Sequence, residues 1–194
     1  MPKKTIVFFL IALVIVLLDQ GIKFSVKLNM ELGEEIQLTG DVVKIHFIEN
    51  RGADFGLTFM HIAEGFGVDM SEETAKLILS LFSLGALGII GSFLYRASEQ
   101  DSTLPFFVAL VFVGAMGNII DRTFYGLWFS DMNTYEGGLF HGRVLDMLYV
   151  DVWSGYLPGF LGGSYCNFFP IINLADAAIS IWVVTILLFQ KRVF

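Results

Sequence analysis

The chain has 194 residues, 55% of them hydrophobic and only 16% charged, with a mean hydropathy of +0.69; soluble domains average about 25% charge, so a water-soluble fold of this size is excluded. The net charge of −7 excludes a nucleic-acid footprint, which needs clustered Lys and Arg. The single cysteine, Cys166, excludes an internal disulfide and a cysteine-based metal site, and reads as a small buried or interfacial residue.

Four apolar stretches approach the roughly 20 residues that a spanning helix needs. The first covers about residues 5–27, with an unbroken apolar core from Ile6 to Leu18. Lys3 and Lys4 precede it as in a signal peptide. It ends in Asp19-Gln20-Gly21-Ile22-Lys23 and offers no small-residue cleavage site, so a retained helix is expected. An external segment of about 28–74 follows. In it Val42 to Ile48 alternates Val43, Ile45 and Phe47 with Lys44 and His46, which predicts a strand; Phe55 to Phe59 is a candidate partner beyond the Arg51-Gly52 turn. Ser71 before Glu72 and Glu73 predicts the N-cap of the second span, about 75–95. The third span covers about 104–122. A second external segment, about 123–170, is rich in Gly and aromatics such as Trp128, Tyr135, Trp153 and Tyr156, and suits a loop or short amphipathic helix at the headgroup level. The fourth span covers about 171–190. Lys3, Lys4, Arg96, Lys191 and Arg192 fall on one side of this layout, which places both termini in the cytoplasm. The reading is of one membrane domain over residues 1–194, α-helical, with no internal repeat.

Asp19, Lys23, Asp121, Arg122 and Asp176 lie within or at the ends of spans, all toward the external face. A charge at the centre of a membrane helix costs about 2.5–3.5 kcal/mol, so five of them need a reason. Asp19 and Lys23 share a helical face and can pair. Gly114, Gly117, Asn118 and Asp121 share a face of the third span, with glycines that permit close approach. Asn173, Asp176 and Ser180 share a face of the fourth. Interhelical bonds that only hold the bundle together are the plain alternative. No Gly-x-Ser-x-Gly elbow or phosphate loop is present, and His46, His61 and His141 lack metal-ligand spacing, so neither a metal nor another cofactor is expected. Lys76 and Ser80 are an i,i+4 pair on one helix, a weak signal for a dyad. Carboxylates remain. Two held close share one proton, so one can take a proton from water while the other donates to a carbonyl oxygen. Two other classes fit the same residues: a transporter relaying through Asp19, Asp121 and Asp176, and a non-catalytic assembly subunit. The absence of a repeat and the one-sided polar layer speak against the transporter.

An ordered set of motifs runs the length of the chain: Asp19-Gln20-x-x-Lys23; Asn50-Arg51-Gly52-Ala53-Asp54-Phe55-Gly56; Gly114-Ala115-Met116-Gly117-Asn118 through Asp121-Arg122; Gly142-Arg143-Val144-Leu145-Asp146-Met147; and Asn173-Leu174-Ala175-Asp176. In these the chain resembles bacterial lipoprotein signal peptidase, or signal peptidase II. The resemblance implies four transmembrane helices, a small extracytoplasmic β-cradle and an interfacial loop or helix. It implies a catalytic pair, Asp146 and Asp176, with Asn50, Gly52, Asn118, Arg122 and Asn173 positioning substrate or pair, and Asp19, Lys23 and Asp121 in support. The implied substrate is a prolipoprotein bearing a diacylglyceryl cysteine, cut just before that cysteine by a monomer in the inner membrane, among its lipids. The segments between Arg122 and Asp146 and between Asp146 and Asp176 are longer than the family's usual ones. This leaves Asp121 as a rival first carboxylate, with Asp131 and Asp151 behind it. Asp146 is favoured because Val144, Leu145 and Met147 can embed it and raise its pKa; Asp121, with Arg122 beside it, reads as an ion-pair residue. Arg51 and Asp54 depart from the family's commoner small residues.

Overall fold

The computed structural model describes residues 3–40, 42–50, 60–98, 104–151, 154–156, 165–167 and 171–193. Four long helices carry the chain: α1 (Lys3–Asn29), α2 (Glu72–Ala97), α3 (Leu104–Trp128) and α4 (Leu174–Val193). Of these, Glu73–Ala97 and Leu104–Trp128 are long and apolar enough to cross a membrane by length and composition. The outward faces are apolar where a soluble protein would be charged: Leu10, Leu17 and Leu18 on α1 and Phe82, Ile89 and Phe93 on α2 are exposed. Lipid tolerates such faces and water does not.

Helix α3 is the hub and packs on α1, α2 and α4. Glycines set its closest approach: a Cβ on Gly114 would stand 2.6 Å from the Ala175 carbonyl oxygen and 2.7 Å from Ile179. At Gly117 it would stand 2.8 Å from Asp19 Oδ2. These small residues let backbones and polar groups meet where a larger side chain would hold them apart.

Ser71 caps α2 as expected, accepting from the Thr74 amide. Helix α3 runs past the expected end at residue 122: it widens into a π turn over Asp121–Tyr125 and closes with Gly126–Trp128. Carbonyls of the π turn tie down the chain that follows. Gly142 N donates to Arg122 O at 2.9 Å and Phe140 N to Thr123 O at 2.9 Å. Residues 129–143 thus fold back on the helix end, and the segment that looked long in sequence delivers residue 144 beside α3.

The expected strand is β2 (Val43–Asn50), but its partners were not foreseen. It pairs antiparallel with β1 (Glu35–Thr39) and β3 (Val144–Val150), in the order β1-β2-β3. The Phe55 to Phe59 candidate lies outside the described residues. The segment 123–170 is therefore not only interfacial loop: it supplies the edge strand β3, plus a small hairpin of β4 (Ser154–Tyr156) and β5 (Tyr165–Asn167). One face of β3 feeds the core, where Leu145 and Met147 pack with Val26, Phe47, Tyr125 and Phe129. The period of two turns Val144 and Asp146 to the opposite face. Its outer edge is closed by side chain and bridge. Leu145 N donates to Asp121 Oδ2, and Leu148 exchanges backbone bonds with Ile172.

Helix α4 begins at Leu174, not at residue 171, and Asn173 lies outside it as its N-cap. Its carbonyl accepts the first helical bond from Ala177 N, and its Oδ1 accepts from Asp176 N at 2.8 Å. Asp176 Oδ2 in turn receives Asn173 N at 3.4 Å. This reciprocal cap places Asp176 in the first turn and replaces the shared helical face read from sequence.

Candidate active site

Asp146 and Asp176 come together under the sheet, at the C-terminal end of α3 and the N-terminal end of α4. Asp146 is 4% exposed on β3. Asn50 lies opposite Val144, which makes it a diagonal cross-strand neighbour of Asp146, and its Nδ2 donates to Asp146 Oδ2 at 3.1 Å. The β2–β3 register shifts between Ile45 and Ile48, just before this contact. Asn173 Nδ2 donates to Asp146 Oδ1 at 2.8 Å. Asp176 Oδ1 receives Asn118 Nδ2 at 2.9 Å. Asn173 Nδ2 also reaches Asn118 Oδ1 at 3.0 Å, so three asparagines from three segments link the two carboxylates into one network.

Burial pushes the Asp146 carboxyl up to about 6; the charge of Asp176 adds to this, while the Asn50 and Asn173 bonds and Lys23 oppose it. The influence of Asp176 shows that the two carboxylates share one electrostatic site. Two carboxylates held this close are an arrangement that can do paired acid and base work.

Below the pair lies a second cluster. Lys23 Nζ stands 2.6 Å from Asp121 and 3.0 Å from Asp19, and none of the three is more than 1% exposed. The expected Asp19–Lys23 pair is present. The cation of Asp121 is Lys23, however, and not the adjacent Arg122. The two neighbours leave α3 in different directions: Arg122 Nη1 donates to Ser83 of α2 at 3.2 Å, while its charge still acts on Asp121, Asp176 and Asp146. Asp121 Oδ1 receives Gln20 Nε2 at 2.9 Å and Oδ2 receives both Lys23 and Leu145 N, so both its oxygens are taken by protein donors.

Gly52, Arg51 and Asp54 lie outside the described residues. Ser80 Oγ donates to Phe140 O at 3.2 Å, and Lys76 Nζ lies 6.0 Å from the centre of the Tyr135 ring. Asp151 gives its amide to Val42 O at the far end of β3, and Asp131 accepts from Ser130 at the surface. Among the described residues no cluster of His, Cys, Asp and Glu is set to hold a metal. The sequence reading missed Gln20, which also accepts from Tyr125 OH at 3.1 Å. It also missed the buried pair of Lys27 with Glu49, next to Asn50, with Arg143 3.6 Å away over the Tyr135 ring. A cavity of about 310 Å³ beside Lys27 and Glu49 includes none of the carboxylates of the site above.

A helical bundle with lipid-compatible faces and an amide-clamped carboxylate pair is compatible with an aspartic peptidase of the membrane. The chain belongs to the signal peptidase II family, whose model matches residues 11–191. It is 34% identical to a lipoprotein signal peptidase of Amoebophilus asiaticus, over 99% of this chain and 80% of that protein. It is 34% identical to one of Porphyromonas gingivalis, over 99% and 85%, and 28% to one of Chlorobium phaeobacteroides, over 96% and 91%. A solved structure described as a bacterial membrane enzyme superposes with a TM-score of 0.58 at 22% identity, over 95% of this chain and 92% of that one. The family removes signal peptides from prolipoproteins in the bacterial inner membrane, which sets aside the transporter and the assembly subunit.

Proposed function

We propose that this enzyme cleaves diacylglyceryl-modified prolipoproteins just before the lipidated cysteine, with a water activated between Asp146 and Asp176. The observation that carries the reading is the convergence of Asn50, Asn118 and Asn173 on these two carboxylates. Asp146, raised by burial, carries the shared proton and gives it to the scissile carbonyl oxygen. Substrate binding excludes further water and pushes that carboxyl the same way. Asp176 takes a proton from the water as the water oxygen bonds to the carbonyl carbon. Collapse of the tetrahedral adduct breaks the C–N bond: the departing amine takes the proton held by Asp176, and an adduct hydroxyl returns a proton to Asp146 as the new carboxyl forms. Asp121 does not suit this work, because it is fully buried and ion-paired to Lys23 at 2.6 Å.

In this reading all four helices span the membrane. Helix α1, at 27 residues, and α4, at 20, reach about 40 and 30 Å. Both termini are cytoplasmic and the carboxylates face outward. Asn50 and Gly52, together with the second external segment, clamp a substrate that enters sideways from the bilayer. The enzyme works as a monomer without a metal. The test is purified protein in detergent with a diacylglyceryl-modified prolipoprotein and its unlipidated form. Release of the signal peptide from the lipidated form alone is expected; equal release from both, or undiminished release by Asp146→Asn or Asp176→Asn, overturns the assignment.

A further inference from the structure

We propose that Asp19 and Asp121, bridged by Lys23, are positioning residues that fix the spacing of the carboxylate pair by each holding the backbone amide one residue before a member of it. The inference rests on Asp146 and Asp176 being the reacting pair. Asp121 Oδ2 accepts from Leu145 N at 3.2 Å, and Asp19 Oδ1 accepts from Ala175 N at 3.1 Å. The two arrangements are parallel. Each amide is one peptide unit from a reacting residue, about 3.8 Å between Cα atoms, so little slack separates the anchor from the aspartate it places.

The fold leaves these two amides for such a purpose. Leu145 N lies on the edge of β3 away from β2, where among the described residues no further strand pairs with it. Ala175 N is among the first amides of α4, which have no partner within the helix, and a carboxylate there also meets the favourable end of the helix dipole. Asp19 reaches it from α1 across Gly117, whose missing Cβ would stand 2.8 Å from Asp19 Oδ2.

Lys23 makes the two anchors one object. Its ammonium lies between Asp19 and Asp121 and also donates to Asn118 Oδ1 at 3.3 Å. That contact turns the Asn118 amide so that its Nδ2 faces Asp176. The strand bearing Asp146 and the helix bearing Asp176 are therefore referred to a single buried ion cluster on α1 and α3. Residues that merely held the bundle together would have no need to bond one residue before each reacting carboxylate.

The experiment uses the full-length protein in detergent. It compares Asp19→Ala, Asp121→Ala, Asp19→Asn and Asp121→Asn with Leu94→Ala, a buried change in the separate α2–α3 cluster. Cleavage of the lipidated prolipoprotein is measured per folded protein, with amide hydrogen exchange at Leu145 and Ala175. The alanine variants should lose about 10²-fold in kcat with KM nearly unchanged, as for a displacement of about 1 Å at the reacting groups. Asparagine keeps an oxygen acceptor and should recover at least about tenfold of that loss. Exchange should speed at Leu145 in the Asp121 variants and at Ala175 in the Asp19 variants, without crossing over. Leu94→Ala should lower the unfolding temperature and leave kcat per folded protein as it was. Wild-type kcat in the alanine variants, or exchange that rises equally at both amides, overturns the proposal. If an alanine variant does not fold, the site-selective exchange pattern of the asparagine variants decides. Cleavage that survives in Asp146→Asn and Asp176→Asn would instead show that the pair was misassigned, whatever the anchors do.

Discussion

Replacing Asn173 with alanine probes the clamp on the carboxylate pair most directly. The side chain is fully buried and makes three bonds: to Asp146 at 2.8 Å, to Asn118 at 3.0 Å and from the Asp176 amide at 2.8 Å. The lost cap costs about 1 kcal/mol. The lost donor to a buried carboxylate costs about 1.5–3 kcal/mol. Stability in detergent should therefore fall by about 3 kcal/mol. The donor favoured the ionised form of Asp146, so without it that carboxyl rises above about 6. Asp176 continues to push it up, and Asn50 and Lys23 remain to oppose the rise. At 1.36 kcal/mol per tenfold, the alkaline limb of the rate profile, where the shared proton is lost, should move up by about one pH unit. The plateau should fall by about 10²-fold as Asp146 and Asn118 lose a shared reference. Asn173→Asp keeps an acceptor for the Asp176 amide but has no donor and adds a third acid, so α4 should remain capped while cleavage is lost. Single-turnover cleavage across pH, beside thermal unfolding, measures both. An alanine variant with wild-type rate and an unmoved alkaline limb would refute the clamp.

Three further outcomes are expected. Asp146 has a folded-state pKa raised from 3.8 to about 6, so its contribution is fully present below the unfolded value and lost as pH rises through the folded one. Stability should fall by about 3 kcal/mol over that window and stay flatter in Asp146→Asn, as unfolding in detergent at acid and neutral pH would show. Gly114→Ala drives a Cβ to 2.6 Å from the Ala175 carbonyl, which should cost about 1–3 kcal/mol and lower cleavage by moving the helix that bears Asp176. Gly91→Ala meets only the edge of the Phe112 ring at 3.1 Å, so its unfolding temperature and cleavage should change far less.

The sequence made legible what repeats over short distances. Apolar length marked the helices, Ser71 marked a cap, and the spacing of Gly114, Gly117, Asn118 and Asp121 marked the face of α3 that meets its neighbours. Alternation from Val43 marked β2. The start of α4 was also legible, because Asn173-x-x-Asp176 is a capping-box pattern; the apolar run beginning at Ile171 drew the boundary three residues early instead. What could not be seen was pairing across the chain. Asp121 finds Lys23 at a separation of 98 residues, and local adjacency pointed to Arg122. Nothing in one sequence records that α3 widens there, sending neighbouring side chains to different helices.

The strand β3 shows why the candidate site was partly hidden. Val144-Leu145-Asp146-Met147-Leu148-Tyr149-Val150 is almost continuously apolar, the pattern of a strand covered on both faces, and such a run cannot be told from a helix segment or a buried loop by periodicity. Its aspartate looked like an interruption. In the folded chain the interruption is the part that faces Asn50, which lies 96 residues earlier, and its neighbours face the core. The length of the preceding segment suggested freedom, and this made Asp121 a plausible rival. That length is taken up by bonds from Phe140 and Gly142 to the π turn, so the strand starts beside α3 and Asp121 grips its edge. The same geometry accounts for both observations: Asp121 is close to the reacting position because it holds the strand, and it is fully engaged there for that reason.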